Sequence, residues 1–193
     1  MAVSSRPDLV GVLLTGGSSR RMGRDKAFLG PVDRPLAARI AGVLTEVCGG
    51  GVVAVGGDGT RLAGLGLDWR PDDHPGSGPL GGIATVARTH PGTDLVVAAC
   101  DLPWIDAPTV DRLSAALEPN APGAVYVDRD GRAQWSLVAI GGPLATQAVA
   151  RFDAGERSLG AVLGDAVVEL TPADPQLIAD ADRPEDLPPE LRT

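Results

Sequence analysis

The sequence predicts an α/β fold of three layers, with helices on both faces of a mainly parallel central sheet. Three observations carry that expectation. Apolar runs with strand character recur along the chain, helix-like segments separate them, and several runs are continuously apolar, as strands covered on both faces must be. Strand and helix in alternation imply right-handed crossovers and therefore parallel strands.

In chain order, strands are expected at 9–14, 51–55, 94–99, 124–127, 136–140 and 167–170. Helices are expected near 35–47, 79–89, 108–117 and 143–152, with Pro35, Pro79, Pro108 and Pro143 at first turns, where a missing N–H costs nothing. The stretch 124–140 reads as two strands about the polar turn Asp128-Arg129-Asp130-Gly131, which fits a hairpin-like lid or an edge insertion. No repeat or long linker divides the chain, so its 193 residues read as one domain, 1–193, with a core over about 8–187. The proline-rich, charged C-terminal tail from Arg183 reads as a short helix followed by a frayed end.

Composition narrows the function classes. An apolar content of 44% with few aromatics describes a globular core of Ala, Val and Leu. No apolar stretch approaches the roughly 18–20 residues that span a bilayer, and the opening MAVSSRPDLV lacks the apolar centre of a signal peptide, so a cytoplasmic protein is expected. Cys48 and Cys100 share no metal-like spacing and read as two reduced thiols. A net charge of −8 argues against nucleic acid or an anionic membrane as partner. Against that acidic background Arg20, Arg21, Arg24 and Lys26, the single lysine of the chain, cluster as a local anion site.

Ligands of such sheets bind beyond the carboxyl ends of the strands. Three loops fall there: 15–26 after the first strand, 70–78 after a short one, and 100–104. The first is not a Walker A loop, because Arg24-Asp25 separate Gly23 from Lys26 and Ala27 follows where a magnesium-binding hydroxyl is needed. It is not a dinucleotide loop, because Gly16 and Gly17 are adjacent and Arg20 stands where a later glycine belongs. A short-chain dehydrogenase is excluded by inventory, since Tyr126 and Lys26 are the only tyrosine and lysine and cannot form Tyr-x-x-x-Lys. What remains is a loop whose backbone N–H groups from Thr15 to Ser18 wrap phosphates, with a lysine as a mobile point charge.

The segment LLTGGSSRRMGRDKAFL, 13–29, resembles the L-A-G-G-x-S-x-R-M-G-x-D-K-A signature of the MobA-like nucleotidyltransferases, the family of molybdenum cofactor guanylyltransferase, with Thr15 in place of the usual alanine. Residues 72–83, DDHPGSGPLGGI, are similar to the family's D-x-x-P-G-x-G-P-L-x-G-I, and Cys100-Asp101-Leu102-Pro103 to its C-D-x-P. Arg132-Ala133-Gln134 resembles a position of substrate-side contacts, with Trp135 where proline is common. Gly155-Glu156-Arg157-Ser158-Leu159 is similar to G-E-R-S-L, and 181–187, ADRPEDL, to N-T-P-E-D-L. One family position after the second strand often carries an asparagine, whereas here Gly56-Gly57 follows Val55.

The resemblance, over about 10–187, implies a Rossmann-like nucleotidyltransferase fold and transfer of GMP from GTP to the phosphate of molybdenum-bound molybdopterin, with Mg2+ as cofactor and pyrophosphate released. It implies Lys26, Arg21 and Asp101 as catalytic residues, with Arg20 a rival of Arg21 for drawing off pyrophosphate. Nucleotide contacts carry over to Leu14, Thr15, Gly16, Gly17, Ser18, Arg20, Lys26, Asp72, Gly78, Pro79, Leu80 and Asp101, with Asp73 replacing Asp72 if the register slips. Metal ligands carry over to Asp101 and Asp182, with Asp180 as rival for the second; helix capping is the structural alternative for both positions. Molybdoenzyme apoproteins or maturation factors are the protein partners it implies. A cytidylyltransferase making the cytosine form of the cofactor, or a guanylyltransferase for another small phosphate such as phospholactate, shares these motifs. A nucleotide-binding regulator without turnover is the alternative of a different class, and the presence of Lys26 and Asp101 argues against it.

Overall fold

A computed structural model describes residues 5–16, 25–117 and 121–192. β1 (Leu9–Leu14) is the strand from which the sheet grows, and its side chains alternate between two cores. Leu9 and Leu13 enter one and Val10 and Val12 the other, all buried. β2 (Val52–Val55) and β3 (Asp68–Arg70) extend the sheet in parallel on one side, and β4 (Asp94–Ala99) pairs with β1 on the other. Past β4 come β6 (Ala133–Ile140), β5 (Gly123–Val127) and β7 (Val167–Leu170), in a seven-stranded sheet of order β3-β2-β1-β4-β6-β5-β7.

Helices cover both faces. α1 (Leu36–Val47), α2 (Gly59–Gly64) and α4 (Ala107–Ala115) close one core, and α3 (Pro79–Thr89), α5 (Gly142–Asp153) and α6 (Leu159–Leu163) the other. Each fully buried Leu or Ile contributes roughly 1.5–3 kcal/mol. The helix starts have local causes: α3 begins on Pro79, and Asp106 caps α4 by accepting the Thr109 N–H at 2.9 Å.

The three-layer, mainly parallel architecture agrees with the expectation from sequence. Three features differ. The hairpin strand β6 is neither lid nor edge; it runs antiparallel between β4 and β5 in the interior of the sheet, with Leu137 to Ile140 fully buried. Helices α2 and α6, of six and five residues, add to the four expected. The tail is not frayed as far as residue 191: 3₁₀ turns at Pro184–Asp186 and Pro189–Leu191 bury Leu187 and Leu191 to 1% and 2% exposure. Cys48 and Cys100 are both buried and unbridged, and burial pushes the Cys48 thiol up to about 12 and the Cys100 thiol higher still.

Candidate functional site

A cleft of about 1010 Å³ runs along the carboxyl ends of β3, β2, β1 and β4 and reaches the start of β6. This is where the parallel strands deliver their loops. Residues 17–24, which include the expected site residues Gly17, Ser18, Arg20 and Arg21, lie outside the described residues.

The end of the cleft beside β4 is charged. Asp25 caps a 3₁₀ turn, Lys26–Phe28, by accepting the Ala27 N–H at 3.1 Å, and that turn presents Lys26 to the cleft. Asp101 follows β4, whose end is tied to β1 by the Cys100 N–H donating to the Leu14 carbonyl at 3.0 Å. The Asp101 carbonyl in turn accepts the Ala181 N–H at 2.8 Å, which draws the segment around Asp182 across from the far end of the sequence. Lys26 Nζ and Asp182 Oδ1 then pair at 3.0 Å. Asp186 accepts the N–H groups of Asp182 and Arg183, so Asp182 is not itself the cap before Pro184.

Asp101 is the least satisfied group in the cleft. Its Oδ1 is buried and accepts no hydrogen bond among the described residues. Burial pushes its carboxyl up to about 6; Lys26 opposes the rise, while Asp180 and Asp182 add to it. A buried carboxylate oxygen without a donor is suited to a cation. Among the described residues no three His, Cys, Asp or Glu side chains gather as a cage. A hard cation such as magnesium needs none, because it takes one or two carboxylates and completes its shell with phosphate oxygens and water.

Apart from the Asp72 carboxylate, the end beside β2 and β3 is lined by neutral groups and closed by hydrogen bonds. Thr15 donates its N–H to the Val55 carbonyl at 3.0 Å, and its hydroxyl lies 2.9 Å from both the Val55 and Gly56 carbonyl oxygens. The Trp69 indole N–H donates to the same Gly56 carbonyl at 2.7 Å. Asp72 lines this end and accepts the His74 N–H at 2.9 Å.

The sequence matches the MobA-like NTP transferase domain over residues 11–170. The chain belongs to that family. It is 32% identical over 184 residues, 93% of each chain, to a Rhodobacter capsulatus protein named molybdenum cofactor guanylyltransferase. It is also 32% identical over 146 residues to the molybdenum cofactor biosynthesis bifunctional protein of Synechocystis, covering 74% of this chain and only 42% of that protein. The solved structure of molybdopterin-guanine dinucleotide biosynthesis protein A from Archaeoglobus fulgidus shares the fold, with a TM-score of 0.71 and 22% identity over 92% of this chain and 94% of that one.

In this MobA-like NTP transferase the structure gathers Leu14, Thr15, Gly16, Lys26, Asp72, Gly78, Pro79 and Asp101 in one cleft. Asp72 lines it, while the Asp73 N–H turns to Thr85 Oγ1 at 3.2 Å, so the register favours Asp72. Leu80 is not brought in: it points from α3 into the core and is fully buried. Gln134 does not line the cleft either, because its amide braces the hairpin turn by donating to Asp128 Oδ2 at 3.0 Å. Trp135 and Ser136 line it instead. Sequence reasoning also missed Trp69, and it singled out Gly56-Gly57 only as the place where an asparagine is absent, whereas both glycines line the cleft. The available signal was Trp69 itself, one of three tryptophans, standing just before the D-x-x-P motif.

Proposed function

We propose that this protein is a molybdenum cofactor guanylyltransferase, transferring GMP from GTP to the phosphate of molybdenum-bound molybdopterin with release of pyrophosphate. The observation that carries the reading is that Lys26 and Asp101, from distant parts of the chain, line one cleft of a MobA-like transferase, with Asp182 held beside them by its ion pair to Lys26 at 3.0 Å. Guanine as the base is supported by the 32% identity, across 93% of both chains, to a relative that bears that name.

Such transfer depends on positioning and charge neutralisation. An oxygen of the acceptor phosphate attacks the α-phosphorus; the new P–O bond forms as the bond from that phosphorus to the bridging oxygen breaks, and pyrophosphate leaves with the electron pair. Lys26 meets the triphosphate and stabilises charge developing on the α-phosphate. Arg21, with Arg20 as its rival, draws off the pyrophosphate. Leu14, Thr15, Gly16, Gly17 and Ser18 contact the nucleotide through the backbone, Thr15 through its carbonyl and not its N–H as the sequence suggests, because that N–H is taken by the Val55 carbonyl, and Gly78 and Pro79 bring it the start of α3. Asp101 and Asp182 would hold Mg2+, which when bound would neutralise phosphate charge; the Asp101 Oδ1, without a hydrogen bond among the described residues, supports the first ligand.

No helix is long and apolar enough to cross a membrane among the described residues. The same reading makes the chain a single nucleotidyltransferase domain acting in the cytoplasm, where molybdoenzyme apoproteins or maturation factors receive its product. The decisive assay is magnesium-dependent pyrophosphate release with GTP against CTP, ATP and UTP, with the pterin acceptor present. GTP is the expected donor, and preference for CTP overturns the guanylyl assignment in favour of the cytidylyl one.

A further inference from the structure

Thr15, just past the end of β1, and the Gly56-Gly57 turn, just past the end of β2, touch each other in the fold. The Thr15 hydroxyl, on a residue only 7% exposed, lies 2.9 Å from both the Gly56 and the Val55 carbonyl oxygens and shares its one proton between them, and the Trp69 indole N–H takes the Gly56 oxygen at 2.7 Å. The carbonyl is thereby held from two sides. Gly56 and Gly57 both have positive φ, 77° and 66°, a backbone that side chains rarely adopt. A Cβ on Gly57 would sit 3.0 Å from Thr15 Oγ1, and one on Gly56 3.1 Å from the Gly16 Cα. The turn therefore faces the cleft as bare backbone, and the Gly57 N–H gives no hydrogen bond among the described residues.

We propose that Thr15 and Trp69 are positioning residues that hold the Gly56-Gly57 turn so that its backbone, rather than a side chain, meets the base edge of the nucleotide. The proposal rests on the nucleotide-transfer reading above. A fixed N–H at the neutral end of the cleft is a donor suited to an oxygen or ring nitrogen on a base, and pre-organising it spares the ordering that a free turn would undergo on binding. Trp69 does this while one face of its ring lies against Gly59, where an added Cβ would stand 2.6 Å from the ring.

The test combines calorimetric titration of GTP with steady-state kinetics in both substrates. Thr15→Ala is expected to raise the Kd and KM for GTP by about 3- to 10-fold, the range of one net hydrogen bond, with the acceptor KM unmoved. Thr15→Ser restores the hydroxyl and with it the GTP affinity. Trp69→Phe, which keeps a ring and removes the N–H, shifts GTP affinity in the same direction and serves where Thr15→Ala does not fold. Because both donors hold one carbonyl, the double variant is expected to be non-additive. Thr15→Ala with wild-type GTP affinity, equal shifts in both substrates, or no rescue by serine would each overturn the clamp. If the wild-type protein prefers another nucleoside triphosphate, the guanylyl reading falls, and the same arms are read with that nucleotide, so the two failures are told apart.

Discussion

The two ends of the cleft follow opposite rules. Beside β2 and β3, polar atoms that line the cleft are paired: the Thr15 hydroxyl and the Trp69 indole both lie against the Gly56 carbonyl, and Asp72 accepts the His74 N–H, while the buried Arg70 Nε without a partner among the described residues lies on β3 outside the cleft lining. Beside β4, Asp101 keeps a buried oxygen without a hydrogen bond, and Lys26 is paired with an aspartate drawn from the tail. The first end is rigid before any ligand arrives and is suited to recognition. The second holds an electrostatic penalty that a cation relieves, which is where charge-developing chemistry gains most.

The sharpest way to break this contrast is at Asp101. Asp101→Asn is expected to lower turnover by at least about 10²–10³-fold, the scale of losing one preorganised electrostatic group, while GTP binding weakens far less. Lys26→Ala is expected to lower turnover on the same scale, and Lys26→Arg is not expected to rescue it, because a planar fork does not replace a compact ammonium. Pyrophosphate release measures both. Wild-type turnover in Asp101→Asn would remove the chemistry from the β4 end.

At the neutral end the counterpart is Gly59→Ala. Its Cβ would stand 2.6 Å from the Trp69 ring, so either the ring or α2 must move. Overpacking of this kind costs about 1–3 kcal/mol, read by urea denaturation, and the displaced indole should raise the GTP KM while leaving the acceptor KM alone. Unchanged stability together with unchanged GTP KM would mean that the ring is not held and that this end is less rigid than the contrast requires.

The same two ends differ in how legible they were in the sequence. Asp101 and Lys26 were readable because each stands in a dense motif, and Asp101 closes an apolar strand, β4, whose bounds the pattern predicts to the residue. The neutral end was read only in part. β3 is three residues, Asp-Trp-Arg, on the sheet edge; a short strand is expected before the 70–78 loop, but three residues are too few for alternation to show that Trp69 turns toward the cleft. The Thr15 contact joins residues forty apart, which local patterning does not encode. The interior place of β6 was missed for a related reason: sequence shows that two strands form a hairpin, but not that the second pairs also with β4. The tail was misread because its prolines signal irregular backbone, whereas Leu187 and Leu191 anchor it in the core.

A smaller effect sharpens the electrostatic half. Burial pushes the Asp101 carboxyl from 3.8 to about 6, with Lys26 opposing the rise and Asp180 and Asp182 adding to it. The folded chain therefore holds this proton more tightly than the unfolded one. The stability it contributes is fully present below about pH 4 and is lost as pH rises through about 6. In the ligand-free protein, Asp101→Asn, which keeps a neutral group of the same shape, should raise stability by up to about 3 kcal/mol at pH 7.5 and by less than about 1 kcal/mol near pH 4. Urea denaturation at the two pH values checks it. A difference independent of pH would mean that the carboxylate is not strained. The variant expected to lose activity most is then also the one expected to gain stability, as the proposed cation-binding role of Asp101 requires.

The smallest effect is expected at Thr85, which joins the loop carrying Asp72 to α3. Its hydroxyl, on a residue 3% exposed, accepts the Asp73 N–H at 3.2 Å and donates to the Gly81 carbonyl at 3.1 Å. Thr85→Val keeps the volume and removes both bonds. Asp73 is exposed, so water can take over its N–H, and the loss should stay near about 1 kcal/mol rather than reach the larger penalty of an orphaned buried donor. The loop is then less firmly placed, and the GTP KM should rise by about 2- to 3-fold, with Thr85→Ser close to wild type. If Thr85→Val instead shifts the acceptor KM, Asp72 serves the acceptor, and the division of the cleft into a recognising end and a reacting end moves one strand toward β3.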